Sequence, residues 1–566
     1  MDTAVNFTLV VSPQEQAVSS RVAAAAAVEC FYRLDSPWIS ESTIARQLRV
    51  PDSTLRYWLD TQRLRMKNSQ WPAQTVRFLE SPLGLSVLHR MLAAAHLVFV
   101  QANDCGIRDL AAFLEFSGLD EFVASSYGSQ QAVAASMESL LIEFGQQEDR
   151  RLAADMPPQQ ISVAMDETFH PLICLVGIEP VSNFILLEEY QPHRDADTWN
   201  RCLKAKLAPL PVTVCQVVSD QAQALIRCAE VHLGAHHSPD LFHVQQAVSR
   251  GLSQRLAGQC RRAEEQLSQT EAKVAELQAQ RQACCEQCPE SIQGAAELEQ
   301  QIQQAQAEQG ATSDQLAACR DRQQRATQAR RGLSRDYHPF DLDDGRPLDE
   351  EEVGRRLTGR FDAAQQIAAE AGLSASATKH LAKARRMLEP MKATLRFFWK
   401  MLETWFSTWD LPEPIQQWMR HELIPGLYLA RVANKARDAA EKHQLRELSQ
   451  TILARARSPD GLWGTLSPEL QVDLQRKAQI CADWFQRSSS CVEGRNGQLS
   501  LKHHALHRFT PRKLQALTVL HNYLLRRPDG TTAAERFYGT PPRDVFQWLL
   551  DRLPIPARPR ARRQVA

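Results

Sequence analysis

The stretch Ile161–Glu189 constrains the fold of this chain more than any other, because β-branched residues with a period of two dominate there while helical spacing dominates elsewhere. Its first run, Ile161–Met165, ends on Asp166. Two further apolar runs follow at Pro171–Ile178 and Phe184–Leu187. Three short strands at this spacing predict a β-meander with a carboxylate at the end of its first strand. Such strand ends are where α/β sheets place chemistry.

A second carboxylate follows a second predicted strand. Val212–Val218 is a largely apolar run that is followed by Ser219 and Asp220. If this strand packs beside the first one, Asp166 and Asp220 meet at neighbouring strand ends. Two carboxylates that close repel each other, so one of them should titrate abnormally high unless a cation is present. Mg²⁺ removes the repulsion and prefers hard oxygen ligands.

A third candidate carboxylate, Glu493, lies in a predicted helix that runs through Cys481–Phe509. Two glycines flank the Arg495–Asn496 pair, and each costs about 1 kcal/mol in helix propensity. That cost is tolerable where the backbone packs closely against a sheet or a ligand. The spacing puts Glu493, Asn496 and Ser500 on one helix face. Basic residues crowd the same region: Arg487, Arg495, Lys502, His503, His504 and Arg508.

This arrangement of Glu493 has two interpretations. A carboxylate inside a basic helix fits a metal ligand beside a phosphate backbone, for which the candidate DNA contacts are Arg487, Arg495, Lys502, His503 and Arg508. A surface ion pair of Glu493 with Arg487 or Arg495 is the alternative.

The charge distribution indicates an anionic partner although the net charge of the 566-residue chain is zero. From Arg487 to Arg563 the chain has 15 Lys and Arg residues against 5 Asp and Glu residues. A local basic segment of this kind is typical of nucleic-acid binding. For the last few residues alone, a solvated tail is the better interpretation.

Cysteine usage and hydropathy predict a cytoplasmic protein without membrane contact. The 13 cysteines are scattered and suit a reducing compartment. The N-terminal sequence lacks the basic region of a signal peptide. No apolar run approaches the length of a membrane span.

Near the N-terminus the sequence predicts a helix-turn-helix. One helix fits Glu41–Leu48, a turn follows, and Ser53 is expected to cap a second helix that runs through Trp58. The residues expected to contact DNA from here are Ser53, Thr54, Arg56, Tyr57 and Arg63. An ordinary helical hairpin explains the segment equally well.

Helical periodicity dominates the rest of the chain. A Gln-, Glu- and Ala-rich segment predicts an antiparallel coiled hairpin. Cys284, Cys285 and Cys288 near its turn lack a fourth ligand at zinc-finger spacing, which favours packed cysteines over a zinc site. The predicted organisation is a helix-turn-helix region at 1–70, a helical domain at 71–157, the first part of the sheet core at 158–250, the hairpin at 251–335, a helical insertion at 336–465, the end of the core with Glu493 at 466–550, and a basic, disordered tail at 551–566.

The predicted order β-β-β-α-β-α-β-α is that of a ribonuclease-H-like domain. The residues also resemble those of DDE-type bacterial insertion-sequence transposases that carry an all-helical insertion. Asp166, Asp220 and Glu493 look like the DDE triad, and Asp240-Leu-Phe-His243 resembles the D-x-x-H motif that several such families have after the second aspartate. The segments SSSCVEGRNGQLSLKHHALHR and LTVLHNYLLRRPDGTTAAERF look like the C-terminal block of these proteins, and YHPFDL is similar to one of their connectors.

One position departs from the family pattern. Relatives often have Asn three residues after the glutamate and Lys or Arg seven residues after it. Asn496 matches the first position, whereas Ser500 does not match the second. The phosphate contact expected there would fall to Lys502 or Arg495.

The resemblance implies a mixed, mostly α protein. Its ribonuclease-H-like α/β core, with a mixed sheet, would be interrupted by a large helical insertion and preceded by an N-terminal helical DNA-binding region. It implies that Asp166, Asp220 and Glu493 are catalytic and hold two Mg²⁺ or Mn²⁺ ions, roughly 3.5–4 Å apart. Asp240, His243 and Asn496 would support them.

The implied activity is cleavage at the ends of a DNA element and strand transfer into target DNA. The expected partners are double-stranded DNA, both terminal repeats and target, and further copies of the chain in a homodimer or higher oligomer on DNA. The expected location is the bacterial cytoplasm, associated with the nucleoid when bound to DNA. Two alternatives remain: a nuclease of the same fold that cuts without joining, and a catalytically inactive DNA-binding regulator.

Overall fold

The computed structural model describes residues 13–34, 39–103, 105–169, 172–287, 292–505 and 509–559. Helices dominate these residues, and the strands form one small, mixed sheet of five strands. The predicted class, mixed and mostly α, is therefore confirmed.

Three helices form the N-terminal unit: α1 (Pro13–Leu34), α2 (Glu41–Gln47) and α3 (Asp52–Asn68). Their apolar faces share one small core, to which Phe31, Ile44 and Leu59 contribute. Arg49 turns the chain between α2 and α3 with a φ of 56°. The expected cap was wrong, because Pro51 is the N-cap residue of α3 and Ser53 lies inside its first turn.

A second helical layer follows: α4 (Ala73–Leu79), α5 (Pro82–Ala95), α6 (Ile107–Phe116) and α7 (Tyr127–Asp155). Helix α5 continues through π-helical turns as far as Ala102, and the 21-residue stretch Pro82–Ala102 is apolar and long enough to cross a membrane by length and composition. The statement that no run approaches that length was therefore wrong. In this fold, however, Leu85, Leu88 and Leu92 of the same stretch pack into a core with α1 and α4.

The sheet has the order β3-β2-β1-β4-β5. Strands β1 and β2 and strands β2 and β3 are antiparallel, whereas β4 runs parallel to both β1 and β5. The strands are β1 (Gln159–Phe169), β2 (Ile173–Glu179), β3 (Phe184–Gln191), β4 (Val212–Ser219) and β5 (His236–Pro239), and the helices between and after them are α8 (Ala196–Leu207), α9 (Gln223–Arg227) and α10 (Leu241–Val248). Strand β1 is longer than the predicted run Ile161–Met165.

The two faces of the sheet pack against different helices, because side chains alternate along a strand. Ile161, Val163 and Met165 point to the larger core, which includes residues of α7 and α8. Ala164 points to the opposite face, where a smaller core contains Val492. Asp166 shares the face of Ala164 because it lies two residues further along β1.

The predicted coiled hairpin consists of α11 (Gln254–Gln287) and α12 (Ile292–Asp336). Ion pairs with antiparallel spacing link its two helices, including Lys273 with Glu308 at 2.9 Å and Arg320 with Glu264 at 2.9 Å. Cys284 is half-buried. The side chain of Cys285 and all of Cys288 lie outside the described residues.

The helical insertion has an extensive apolar core of its own that also includes residues of α10 and α12. Tyr337 and Phe340, from the connector after α12, are fully buried in it. Its helices are α13 (Glu350–Glu370), α14 (Ala375–Arg385), α15 (Leu388–Thr408), α16 (Glu413–Trp418), α17 (Ile424–Lys435) and α18 (Ala439–Ala456).

The chain then returns to the sheet through α19 (Pro468–Trp484), α20 (Ser490–Ala505), α21 (Pro511–Tyr523), α22 (Ala533–Tyr538) and α23 (Val545–Leu550). The single helix predicted through Cys481–Phe509 is wrong, because Phe485 adopts extended backbone angles and ends α19. Helix α20 starts anew five residues later, so that Glu493 lies in its first turn.

The segment after α23 was predicted to be a disordered tail, and for residues 551–559 this was wrong. Arg21 donates a hydrogen bond to the carbonyl of Pro556 at 2.6 Å, and Ala124 donates from its backbone to Ala557 at 2.9 Å. Arg558 contacts Glu80 at 2.8 Å. These contacts bind the segment to the N-terminal helices. Residues 560–566 lie outside the described residues.

Candidate active site at the end of the sheet

Asp166 lies on β1 at the point where the parallel part of the sheet ends. The last parallel pair joins Ala164 to Val218, so Asp166 and Asp220 each lie two residues beyond it. Asn496 donates a hydrogen bond from Nδ2 to Asp166 Oδ2 at 3.0 Å. Burial, followed by the negative charge of Glu493, raises the pKa of Asp166 to about 7. Burial therefore contributes most to the raised pKa of Asp166, and the neighbouring carboxylates add to it in the expected direction.

Asp220 begins the loop after β4. Its Oδ1 accepts a hydrogen bond from the backbone of Ala222 at 2.8 Å, which fixes the carboxylate at the strand end. Its negative charge raises the pKa of both Asp166 and Glu493. The two aspartates and the glutamate are therefore close enough to interact electrostatically, as the sequence analysis proposed for this edge of the sheet.

Glu493 reaches the site because α20 packs across the sheet. Val492 and Leu499 bury one face of α20 against Ala164 and Val176. Burial raises the pKa of Glu493, while the neighbouring His243 lowers it. The start of a helix carries partial positive charge, which favours a carboxylate in its first turn.

The two glycines near Glu493 do not pack closely against anything. An added Cβ at Gly494 or at Gly497 would meet no atom within 4 Å outside the local helix backbone. The expected close approach to the sheet was therefore wrong, while an approach to a ligand stays a prediction. Instead, the glycines leave open space on this part of α20.

Asp240 and His243 lie at the start of α10, directly beside Glu493. Asp240 is buried and caps α10 through a hydrogen bond from Phe242 N at 2.9 Å, and it also accepts one from Ser489 Oγ at 2.5 Å. His243 Nε2 is 3.5 Å from Glu493 Oε1 and 3.8 Å from Asp240 Oδ2. One ligand atom from each of Asp240, His243 and Glu493 fits within 4.8 Å of the others.

In the described part of the chain, these three residues are the group that brings three ligand atoms this close, and the group differs from the predicted set. Asp240 and His243 were expected only to support the site, whereas they form this group together with Glu493, and Asp166 and Asp220 do not belong to it. The physical reason lies in charge, because the imidazole of His243 favours the charged form of Glu493 whereas the charge of Asp220 disfavours it.

Asp166 has two neighbours with a buried oxygen atom of the kind that a hard cation binds. Asn496 Oδ1 and Glu167 Oε2 are buried, and neither has a hydrogen-bond partner among the described residues. Buried oxygen atoms without partners are costly, and divalent cations such as Mg²⁺ are bound by carboxylate and amide oxygens. The residues present therefore fit one or more divalent cations of this class.

Glu167 was missed by the sequence analysis. Burial, followed by the charge of Asp220, raises its pKa, and Arg194 partly opposes that shift through a 2.8 Å hydrogen bond. Its position directly after Asp166 was the feature of the sequence that could have identified it. Alternation along a strand suggests that neighbours point to opposite faces, which hid its electrostatic coupling to Asp220.

Two of the basic residues assigned to DNA have structural partners. Arg495 is buried and forms a two-pronged ion pair with Glu188 of β3, with both nitrogen–oxygen distances at 2.7 Å. Arg487 donates hydrogen bonds to the carbonyls of Ser334 and Tyr337 at 2.6 and 2.7 Å. Both assignments were wrong, because these guanidinium groups hold the core together.

Lys502 also has a partner, since its Nζ donates to the carbonyl of Ala102 at 3.0 Å and joins α20 to the end of the π-helical turns. The side chain is half-buried, and its contact with DNA stays a prediction. His503 is half-buried, and its role in DNA binding stays a prediction. Arg508 lies outside the described residues.

The helix-turn-helix residues remain accessible. Ser53, Arg56, Tyr57 and Arg63 are exposed, with Tyr57 69% exposed, and Thr54 is half-buried. Arg56 and Arg63 lie 3.7 and 3.6 Å from Glu41, an exposed arrangement that contributes little to stability. Their contact with DNA stays a prediction.

Comparison with known proteins gave one match. Residues 419–565 match a family of unknown function, DUF6399. This region begins within the helical insertion and includes Glu493 and Asn496. No curated protein and no solved structure matches the chain.

Proposed function

We propose that this protein is a DDE-type DNA transposase with a ribonuclease-H-like core. The observation that carries the proposal is the convergence of Asp166, Asp220 and Glu493, in which the charges of Asp220 and Glu493 both contribute to the high pKa of Asp166. The first two come from adjacent parallel strands, and the third comes from a helix that follows the whole insertion. Against the alternative, a surface ion pair of Glu493 with Arg487 or Arg495, both arginines have other partners: Arg495 pairs with Glu188, and Arg487 donates to backbone carbonyls.

The sheet supports the proposal independently of the carboxylates. Its first three strands are antiparallel and its last two are parallel to β1, in the order β3-β2-β1-β4-β5. This topology is compatible with the element order from which the ribonuclease-H-like core was inferred. The N-terminal three-helix unit, with its exposed Arg56 and Tyr57, would bind the terminal repeats.

Asp166, Asp220 and Glu493 would hold the divalent cations, with Mg²⁺ or Mn²⁺ as the natural choice for oxygen ligands. Two such ions would activate water or a 3′-OH and stabilise the leaving oxygen in an in-line displacement. Neighbouring side chains position the carboxylates of that site. Asn496 orients Asp166 through its amide, while His243 holds Glu493 by its carboxylate.

The test uses purified protein, Mg²⁺, a plasmid target and DNA that carries the ends of the element with a free 3′-OH. We expect joined product with the wild type and none with Asp166→Asn, Asp220→Asn or Glu493→Gln. Asn496→Ala should lose about 10–100-fold in rate, as is usual when a residue that orients a metal ligand is removed. The matched control is Asp460→Asn, which removes an exposed carboxylate far along the chain.

The outcomes separate the alternatives. Cleavage without joined product would contradict the transposase proposal and favour a nuclease. If the wild type binds DNA, but neither the wild type nor any variant cleaves it with Mg²⁺, the result would favour an inactive regulator.

A further inference from the structure

Helix α14 of the insertion is strongly basic. Its sequence, ASATKHLAKAR, contains Lys379, His380, Lys383 and Arg385 but no acidic residue, and Arg386 follows directly. Most helices of a soluble domain mix both signs of charge on their exposed face. A helix with cations only is therefore a candidate surface for an anionic partner.

This helix packs directly against the element that carries Asp240 and His243. Helix α10 continues through π-helical turns over Ser249–Ser253, and α14 lies on those turns. Gly251 makes the approach possible, because an added Cβ there would lie 2.8 Å from the carbonyl of Ala377 and 3.1 Å from Cβ of His380. The glycine thus brings the basic helix next to the acidic end of the sheet.

A cleft of about 320 Å³ lies between them. Its lining includes Asp220, Asp240 and His243 of the candidate active site and also Arg250, His380 and Lys383. The carboxylates proposed to hold cations and a set of basic side chains therefore line the same open cleft. Basic side chains beside such a site can contact the phosphates next to the scissile one.

Arg250 and Lys383 are also available to a ligand. Both are exposed, and neither forms a hydrogen bond or an ion pair with any residue that the structure describes. Arg385 on the other side of α14 differs, because it is paired with Asp362 and bonds Gln365 at 2.8 Å. Arg250 and Lys383 have no such partner among the described residues, so their charges are open to a ligand in the cleft.

We propose that Arg250, His380 and Lys383 form a binding wall for the backbone phosphates of the DNA strand that enters the active site. The proposal rests on the proposed function, because it takes the strand next to the scissile phosphate as the ligand. The wall contributes affinity and position rather than sequence readout, as phosphate contacts generally do. The insertion would then be part of the substrate-binding surface of the catalytic core.

The first experiment measures binding of a short labelled DNA duplex by fluorescence anisotropy at several salt concentrations, with Ca²⁺ in place of Mg²⁺. Loss of two phosphate contacts should reduce the slope of log affinity against log salt by about 1.8. We expect this for Arg250→Ala/Lys383→Ala. The control, Lys400→Ala/Lys442→Ala, removes the same charge from one exposed and one half-buried residue of the insertion that do not line the cleft, and should keep the wild-type slope.

The second experiment measures cleavage rate against DNA concentration. The Arg250→Ala/Lys383→Ala variant should need about tenfold or more DNA for half its maximal rate while retaining most of that rate, as expected when uniform binding is removed. Wild-type affinity and salt slope in this variant would overturn the binding wall, and so would an equal loss in the control. If instead the wild type cleaves no DNA, the proposed function fails. The anisotropy measurements then test the binding wall independently.

Discussion

At the scale of single residues, Asp166 has the most informative environment. It lies within the field of Glu493, Glu167 and Asp220, and all three charges raise its pKa. The hydrogen bond from Asn496 holds the carboxylate in place at the same time. The sequence predicted the crowding of two aspartates correctly, but it could not show Glu167 as a further contributor, because that depends on the local course of β1.

This environment makes the stability of the metal-free protein depend on pH. The pKa of Asp166 rises from 3.8 to about 7 on folding. Between these values the folded protein keeps a proton that the unfolded chain releases, so stability falls as pH rises through that window. Below it, the carboxyl group is protonated in both states. Above this pH window, Asp166 is charged in the folded protein, and the full cost of its burial and of its carboxylate neighbours is present.

We therefore expect Asp166→Asn to melt at a higher temperature than the wild type at pH 8 in EDTA, and at nearly the same temperature at pH 4. Thermal unfolding followed by circular dichroism across this range measures the difference. Asp460→Asn, at an exposed site, should follow the wild type at every pH. Parallel curves for Asp166→Asn and the wild type would contradict the assignment of the strained charge to Asp166.

At the scale of elements, α20 is the one whose sequence was most misleading. Its basic residues suggested a face toward DNA, yet Arg495 is buried in an ion pair with Glu188. Glu188 also accepts a hydrogen bond from Thr518 of α21 at 2.6 Å, so the pair links β3, α20 and α21. Nothing in the local sequence of α20 reveals this partner, because it lies more than three hundred residues earlier in the chain.

Loss of this link should be costly. Arg495→Ala leaves the Glu188 carboxylate buried without its partner, and we expect a loss of about 3–5 kcal/mol in the free energy of unfolding. Chemical denaturation of the metal-free protein measures it. The double variant Arg495→Met/Glu188→Leu removes both charges and should recover most of the loss. If Arg495→Ala is as stable as the wild type, then the ion pair does not fix α20 on the sheet.

At the scale of the whole molecule, the sequence predicted elements that depend on local periodicity, but it did not predict contacts between residues far apart in the chain. The meander, the β4 strand and the coiled hairpin follow from period and turn residues, and all three are present. The close contact of Glu493 with His243 depends on the packing of α20 and α10, which no periodicity encodes. The same holds for the docking of the C-terminal segment on the N-terminal helices.

That docking surrounds one buried acid, Glu80, whose side chain is 2% exposed. Arg21, Arg65 and Arg558 all contact its carboxylate, so the first helices, the second layer and the C-terminal segment meet at one charge. Because charged groups away from water need such partners, the C-terminal segment should contribute to the stability of the N-terminal unit, although it lies at the other end of the chain.

Truncation tests this directly. Removal of residues 554–566 deletes Arg558 and the carbonyls that bind Arg21 and Ala124. Loss of such buried hydrogen bonds typically costs about 1–3 kcal/mol, so we expect a lower unfolding midpoint and faster proteolysis between α1 and α3. Removal of residues 560–566 alone retains these contacts and serves as the control. Equal protection of both truncated proteins would mean that the segment rests on the N-terminal helices without stabilising them.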